Sequence, residues 1–154
     1  MRALVQRVSR ASVSIAGKTV SSIDQGLIVF VGVGKNDTPD DARYLADKVA
    51  GLRIFSDHEG KFNLSAHEIS GSILLVSQFT LYASTRKGRR PSFTEAAEPA
   101  EAQSLIAEFE RSLRETEIQV QTGIFQEHML VEILNDGPVT IFIDSEDRHK
   151  PRHA

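Results

Sequence analysis

The sequence contains no cysteine. That single absence removes thiol nucleophiles, disulfide staples and cysteine-ligated zinc together, and it is compatible with a cytosolic protein. No apolar run is long: the longest, Leu27 to Val33, is far too short to cross a bilayer. The opening Met1-Arg2-Ala3-Leu4-Val5-Gln6-Arg7 carries charge where a signal peptide needs apolar residues. A soluble, cytoplasmic protein without membrane association is expected. Internal repeats, low-complexity tracts and long like-charge blocks are also missing, so disorder is expected only in the last residues, about 146–154.

Several catalytic signatures are incomplete. His67-Glu68-Ile69-Ser70-Gly71 begins like a zinc-protease helix but lacks the second histidine four residues on. His149 and His153 have ligand spacing, yet Pro151 stands between them in the terminal tail, and His58 and His128 are isolated. Gly32-Val33-Gly34-Lys35-Asn36 falls short of a phosphate loop, and a strand-ending turn explains its glycines better. No Gly-x-Ser-x-Gly elbow occurs, which counts against a serine-triad esterase. No metal and no cofactor are expected.

What is present suits one domain spanning 1–154: 40% hydrophobic and 25% charged residues in a chain of 154. The formal net charge of −3 gives no global pull toward nucleic acid. The distribution is uneven, however. Arg86, Lys87, Arg89 and Arg90 sit within five residues, and Arg148, Lys150 and Arg152 gather near the C-terminus. Such clusters are read either as solvated loops or as phosphate contacts.

Alternation from Arg2 to Ile15 predicts a strand, Gly17-Lys18 a turn, and Thr19 to Ile23 a second strand. Leu27 to Val31 is continuously apolar, as a strand buried on both faces would be. Thr38, Pro39, Asp40 and Asp41 are start signals for a helix that ends at Gly51. Leu52 to Phe55 reads as a short strand and 57–61 as a turn. Ser72 to Leu81 reads as a strand, and Ala83 to Glu95 as a polar loop. Pro99 to Glu115 forms a second helix whose Ala102, Leu105, Ile106, Phe109 and Leu113 make one apolar stripe. Strands are expected at Ile118–Thr122, Met129–Leu134 and Val139–Ile143. The order predicts an α+β domain with a mixed or antiparallel sheet covered by two amphipathic helices.

Two segments resist a purely architectural explanation. Ser77-Gln78-Phe79-Thr80 brings polar groups to the end of a buried strand, where free backbone N–H groups suit an oxyanion; the plainer reading is a strand running out to solvent. Asn135-Asp136-Gly137-Pro138-Val139-Thr140 reads as a turn between two strands, with a bond before Pro138 that is open to the cis form. Asp136-Gly137 alone would also serve as a hairpin turn.

Together these segments resemble the D-aminoacyl-tRNA deacylase family, through its Ser-Gln-Phe-Thr-Leu motif at Ser77–Leu81 and its Asn-x-Gly-Pro-Val-Thr motif at Asn135–Thr140. The likeness extends to Met1–Val8 and to Lys87-Gly88-Arg89-Arg90-Pro91-Ser92-Phe93, and so runs along nearly the whole chain. It implies the barrel-like sheet of that family. It also implies a homodimer that hydrolyses the ester between a D-amino acid, or glycine, and the terminal adenosine of tRNA. Ser77, Gln78, Phe79 and Thr80 are then the catalytic segment. Gly137 and Pro138, joined by a cis bond and reaching into the other subunit's site, are the chiral filter. Their carbonyls would leave no room for an L side chain, while glycine would escape rejection.

Supporting roles are expected for Arg7, which would brace the Gly-Pro loop, for Met129 beside the pocket, and for Asn135. Plainer readings are an exposed strand charge for Arg7 and a core filler for Met129. Arg86, Lys87, Arg89 and Arg90 become tRNA phosphate contacts; DNA is not an expected partner. Rival readings are a related deacylase with a trans Gly-Pro and relaxed chirality, a non-catalytic tRNA-binding accessory, and a dimerisation domain without a small-molecule site.

Overall fold

A computed structural model describes residues 1–152. Among the described residues the strands are β1 (Arg2–Ile15), β2 (Lys18–Ile23), β3 (Gly26–Gly32), β4 (Phe55–Ser56), β5 (Phe62–Leu64), β6 (Ser72–Ser77), β7 (Gln119–Thr122) and β8 (Leu130–Asp144). The helices are α1 (Pro39–Gly51) and α2 (Pro99–Arg114), and two 3₁₀ turns occupy Phe79–Tyr82 and Ser145–His149.

β1 organises the main sheet because it is long enough to serve several partners. Its residues 2–8 pair antiparallel with β3, residues 11–15 with β2, and its other edge with β8 along nearly its full length. β3 pairs parallel with β6, and β6 parallel with β7. Parallel neighbours require a crossover, and the chain supplies α1 between β3 and β6 and α2 between β6 and β7. The sheet is therefore mixed. β4 and β5 form a separate two-stranded hairpin.

Both faces of the sheet are buried, against different layers. Leu27, Val29, Val31, Ile73 and Leu75 pack with Leu45, Val49, Leu105, Phe109 and Leu113 of the helices. Ile28, Leu74 and Val76 point the other way, into a second core with Val8, Ala11, Val13 and Ile23. The sheet curls around that second core into a nearly closed barrel, and the apolar run at Leu27 is buried on both sides as its composition requires.

Helix α1 begins as its sequence dictates. Pro39 is at its start, and the Asp41 carboxylate reaches back to the Thr38 N–H (2.8 Å) and hydroxyl (3.0 Å). The 3₁₀ turn at Ser145–His149 runs into the segment expected to be a tail: Ser145, just before that segment, is buried, and Arg148 within it pairs with Asp41 at 3.2 Å. His153, which has ligand spacing from His149 but falls in the expected tail, lies outside the described residues.

Three expectations are corrected. Leu52–Phe55 is not a strand: only Phe55 and Ser56 are extended, as half of the hairpin. The strand from Ser72 ends at Ser77, and the chain winds into a 3₁₀ turn instead of running to Leu81. Gly137-Pro138 is not a turn between two strands. Both halves of β8 pair with the same strand, β1, and Gly137-Pro138 sits on an excursion between them. Two steps along β1, Gln6 to Val8, answer five along β8, Thr140 to Asn135. Proline cannot donate to a ladder, so a bulge accommodates it where a regular strand would not.

The bulge also switches faces. Val139, Ile141 and Ile143 pack on the helix-side core, whereas Val131 and Ile133, of the same parity, pack on the barrel core. An odd number of extra residues in a strand reverses its pleat. β1 makes the matching switch between Val8 and Ala11, at its own register shift.

Candidate active site

Ser77 closes β6, and the Gln78 N–H extends the pairing by one bond to the Val31 carbonyl (2.7 Å). The chain then leaves the sheet. A close approach makes this exit possible: a Cβ on Gly32 would lie 2.9 Å from the Gln78 carbonyl oxygen and 3.1 Å from Leu81 Cβ. The far end of the turn is held by Arg2, which donates to the Leu81 carbonyl (3.0 Å) and lies over the Tyr82 ring at 4.4 Å. Burial pushes the Tyr82 phenol far up, and Asp37, its acceptor at 3.2 Å, reinforces the shift. The phenol therefore remains a fixed donor.

The first N–H groups of a helical turn have no partner inside it. Among the described residues, the N–H groups of Phe79 and Thr80 are the two left in this position, with no side-chain acceptor on them. Gln78 donates its side-chain amide to the Thr80 hydroxyl. Phe79 is 58% exposed and meets Phe93 edge-to-face, with centroids 4.9 Å apart.

This turn forms one lip of a cavity of about 650 Å³. Ser77, Gln78 and Phe79 line it together with Phe93, Phe125 and Met129, and α2 contributes Ala102 and Ile106 to its floor. Three of the four residues of the first motif thus share a concave apolar site with Met129; Thr80 is exposed outside its lining. Phe93, Phe125 and His128 also reach the wall, where no local pattern in the sequence places them. Phe93 stood within a quoted motif, but nothing local marked Phe125 or His128.

The second motif is elsewhere. Gly137 and Pro138 are exposed, and the bond between them is cis. Gly137 has φ +127°, and a Cβ there would crowd Val139 Cγ2 at 2.8 Å and an Arg7 guanidinium nitrogen at 3.1 Å. Asn135 ties the base of the excursion, donating to the Arg7 (2.9 Å) and Val139 (3.0 Å) carbonyls. Arg7 is no exposed strand charge: it is 12% exposed, and its Nε donates to the Asp136 carbonyl at 3.1 Å.

Register fixes the separation of the two motifs. Ser77 is level with Val31, Ala3 and Ile143, whereas the excursion lies beside Arg7, three strands across from β6. At about 3.3 Å per residue and 4.8 Å per strand, the motifs are on the order of 20 Å apart within one chain. Neither Gly137 nor Pro138 lines the cavity.

Arg86, Lys87, Arg89 and Arg90 are exposed and make no ion pair among the described residues. Arg86 and Lys87 join Ser84, Ser92 and Thr94 around a hollow of about 460 Å³ at the base of their loop. Among the described residues no cluster of three His, Asp or Glu side chains could hold a metal, and no helix is long and apolar enough to cross a membrane.

The chain is similar to known proteins in sequence and in fold. Residues 4–144 match the family described as D-Tyr-tRNA(Tyr) deacylase. A D-aminoacyl-tRNA deacylase of Dehalococcoides mccartyi is 59% identical over 152 residues, covering 99% of both chains. One from Thermotoga petrophila is 58% identical over 145 residues, 94% of this chain and 97% of that protein. A solved structure described as c-Myc DNA Unwinding Element Binding Protein superposes with a TM-score of 0.88 at 38% identity, covering 94% of this chain and 98% of that one. A probable eukaryotic D-amino acid tRNA deacylase shares the fold, with a TM-score of 0.78 at 18% identity over 93% and 98% of the two chains.

Proposed function

The chain belongs to the D-Tyr-tRNA(Tyr) deacylase family, whose members hydrolyse the ester of aminoacyl-tRNA, and from that premise we propose that its complete site is shared between two copies of the chain. The observation that carries this reading is the gap between the motifs. Neither half can finish the site alone: the cavity lip offers free N–H groups but no filter, and the exposed Gly137-Pro138 takes no part in lining that cavity. β8 supplies an edge for a second copy, since it pairs on one side only and exposes Leu130, Leu134 and Phe142. Long apolar edge strands are seldom left uncovered.

In this reading the terminal adenosine and its aminoacyl group enter the cavity, where the rings of Phe79, Phe93 and Phe125 offer surfaces for stacking. Water attacks the ester carbonyl, helped by the adenosine 2′-OH. The tetrahedral oxyanion forms against the N–H groups of Phe79 and Thr80, and the bond to the ribose oxygen then breaks to give free amino acid and tRNA. Preorganised donors of this kind are typically worth on the order of 10²–10³ in rate each. Ser77 and Gln78 shape the lip, and Met129 forms a wall.

Gly137 and Pro138 of the second copy hold the α-carbon region against main-chain carbonyls. An L side chain collides there, a D side chain points away, and glycine passes. Arg7 and Asn135 fix the excursion. The exposed cations at Arg86, Lys87, Arg89 and Arg90 follow the phosphate backbone of the tRNA, in the cytoplasm where charged tRNA is used.

The test is deacylation of matched D- and L-tyrosyl-tRNA by the purified protein without added metal. Cleavage of the D ester is expected, with the L ester hydrolysed far more slowly and only slightly above its spontaneous rate. Equal cleavage of both would remove the chiral filter from the proposal, and cleavage of neither would remove the activity.

A further inference from the structure

The β4–β5 hairpin stands apart from the main sheet, yet it is firmly built. Ile54 and Phe55 are buried in the helix-side core and anchor its entry. Asp57 closes its tip, pairing with Lys61 through the backbone (2.9 Å) and accepting the Glu59 and Lys61 N–H groups on its carboxylate at 2.8 and 3.0 Å. Arg53 Nε donates across it to the Asn63 carbonyl at 2.8 Å. On this rigid frame Phe62 is 57% exposed and belongs to neither hydrophobic core. Its ring meets Arg7, whose guanidinium carbon lies 5.3 Å from the ring centroid.

Arg7 is thereby held on three sides. NH1 donates to the Ile54 carbonyl at 2.7 Å, and Nε donates to the Asp136 carbonyl at 3.1 Å. Those two bonds fix two points of a planar group but leave it free to tilt about the line joining them. The guanidinium carbon lies over the Phe62 ring, a third contact that resists this tilt by an attraction that is electrostatic as well as apolar. NH2 comes within 3.1 Å of the position a Gly137 Cβ would take, so the pose of the guanidinium sets the space beside Gly137.

We propose that Phe62 is a positioning residue for stereochemical discrimination: it acts through Arg7 to hold the Gly137-Pro138 excursion in place. The inference rests on the reading that this excursion is the chiral filter. Phe62 then spends its exposure on a neighbouring side chain, which accounts for a large aromatic residue left outside both cores.

The experiment compares turnover of D- and L-tyrosyl-tRNA, above the spontaneous rate, by the wild type and by Phe62→Ala, Phe62→Tyr, Arg7→Gln, Gly137→Ala and the Phe62→Ala/Arg7→Gln double variant. Phe62→Ala should lower the D-to-L ratio about five- to tenfold, while Phe62→Tyr, which keeps the aromatic face, should retain the wild-type ratio. Because Phe62 acts through Arg7, adding Phe62→Ala to Arg7→Gln should lower the ratio no further. Multiplicative losses in the double variant would overturn the proposal. So would a wild-type ratio in Phe62→Ala alongside a lowered one in Arg7→Gln. If neither Arg7→Gln nor Gly137→Ala changes the ratio, the underlying reading of the filter fails instead, and the role of Phe62 falls with it.

Discussion

Thr80 separates two chemistries within the same turn. Its hydroxyl would be the nucleophile in a covalent route, but a hydroxyl needs an adjacent base to attack. The side chain bonded to it is the Gln78 amide, which donates to the hydroxyl oxygen and cannot take its proton. Thr80→Ala should therefore lower D-tyrosyl-tRNA turnover by less than about tenfold, because the N–H groups proposed as the oxyanion site stay in place. Single-turnover assays would check this, and near-total loss would restore the covalent route. At this scale the sequence was informative where a residue interrupts a local pattern, as Ser77 and Gln78 do at the end of an apolar strand. It was silent on Phe125 and His128. Their place on the cavity wall depends on a loop folding back over a strand some fifty residues earlier, and no local spacing records that.

The two helices were legible because their signals are local: a Pro at each start and an apolar stripe at helical spacing. The clasp between them was not, since it joins charges far apart in the chain. Glu108 on α2 meets Arg43 on α1 at 3.0 Å as well as Arg111 on its own helix. Hydrogen bonds from Arg111 and then Arg43 hold its carboxyl down, from the ordinary 4.5 to about 2. A carboxylate whose value is lower in the folded chain stabilises fully above its unfolded value and loses that contribution as it is protonated. Replacing it, as in Glu108→Gln, should lower the melting temperature by about 1–3 °C near neutral pH. The difference from wild type should close as pH falls from about 4.5 to about 2, and high salt should shrink it at any pH. Thermal melts across that range would check both. Among the long strands, β8 was misread as two. Gly-Pro is a strong turn signal on its own, and only the length of β1 reveals that one partner continues through it.

At the scale of the molecule, the α+β class and the helical cover followed from element order, which left the sheet mixed or antiparallel until the parallel β3–β6 and β6–β7 pairs made it mixed, and similarity along the chain supports the family. The distance between the motifs did not follow, because it depends on strand order and register, which place two strands, β3 and β1, between Ser77 and the Gly137 excursion. A shared site makes a distinctive prediction. A bulky Gly137 variant that blocks the site and a Thr80→Pro variant that removes an N–H donor, each chosen for loss of D-tyrosyl-tRNA turnover alone, should recover up to about one quarter of wild-type activity when their subunits are mixed and allowed to exchange. Half the re-formed dimers are then mixed, and each of those carries one intact site of its two. Titrating one inactive variant against the other while following D-tyrosyl-tRNA turnover would check this, and absence of any recovery would confine the site to one chain.

The bulge that carries Gly137 and Pro138 also bears on how such a chain evolves. Because each strand switches faces there, the two halves of β8 serve different cores, and the parity of the excursion is tied to both. Losing or gaining a single residue at this point would turn the apolar side chains of one half out of their core, whereas a change of two would keep the pleat in phase. Insertions and deletions in the lineage are thus filtered by pairs at the one place where selectivity would be tuned. Drift in stringency is left to substitution more than to loop length.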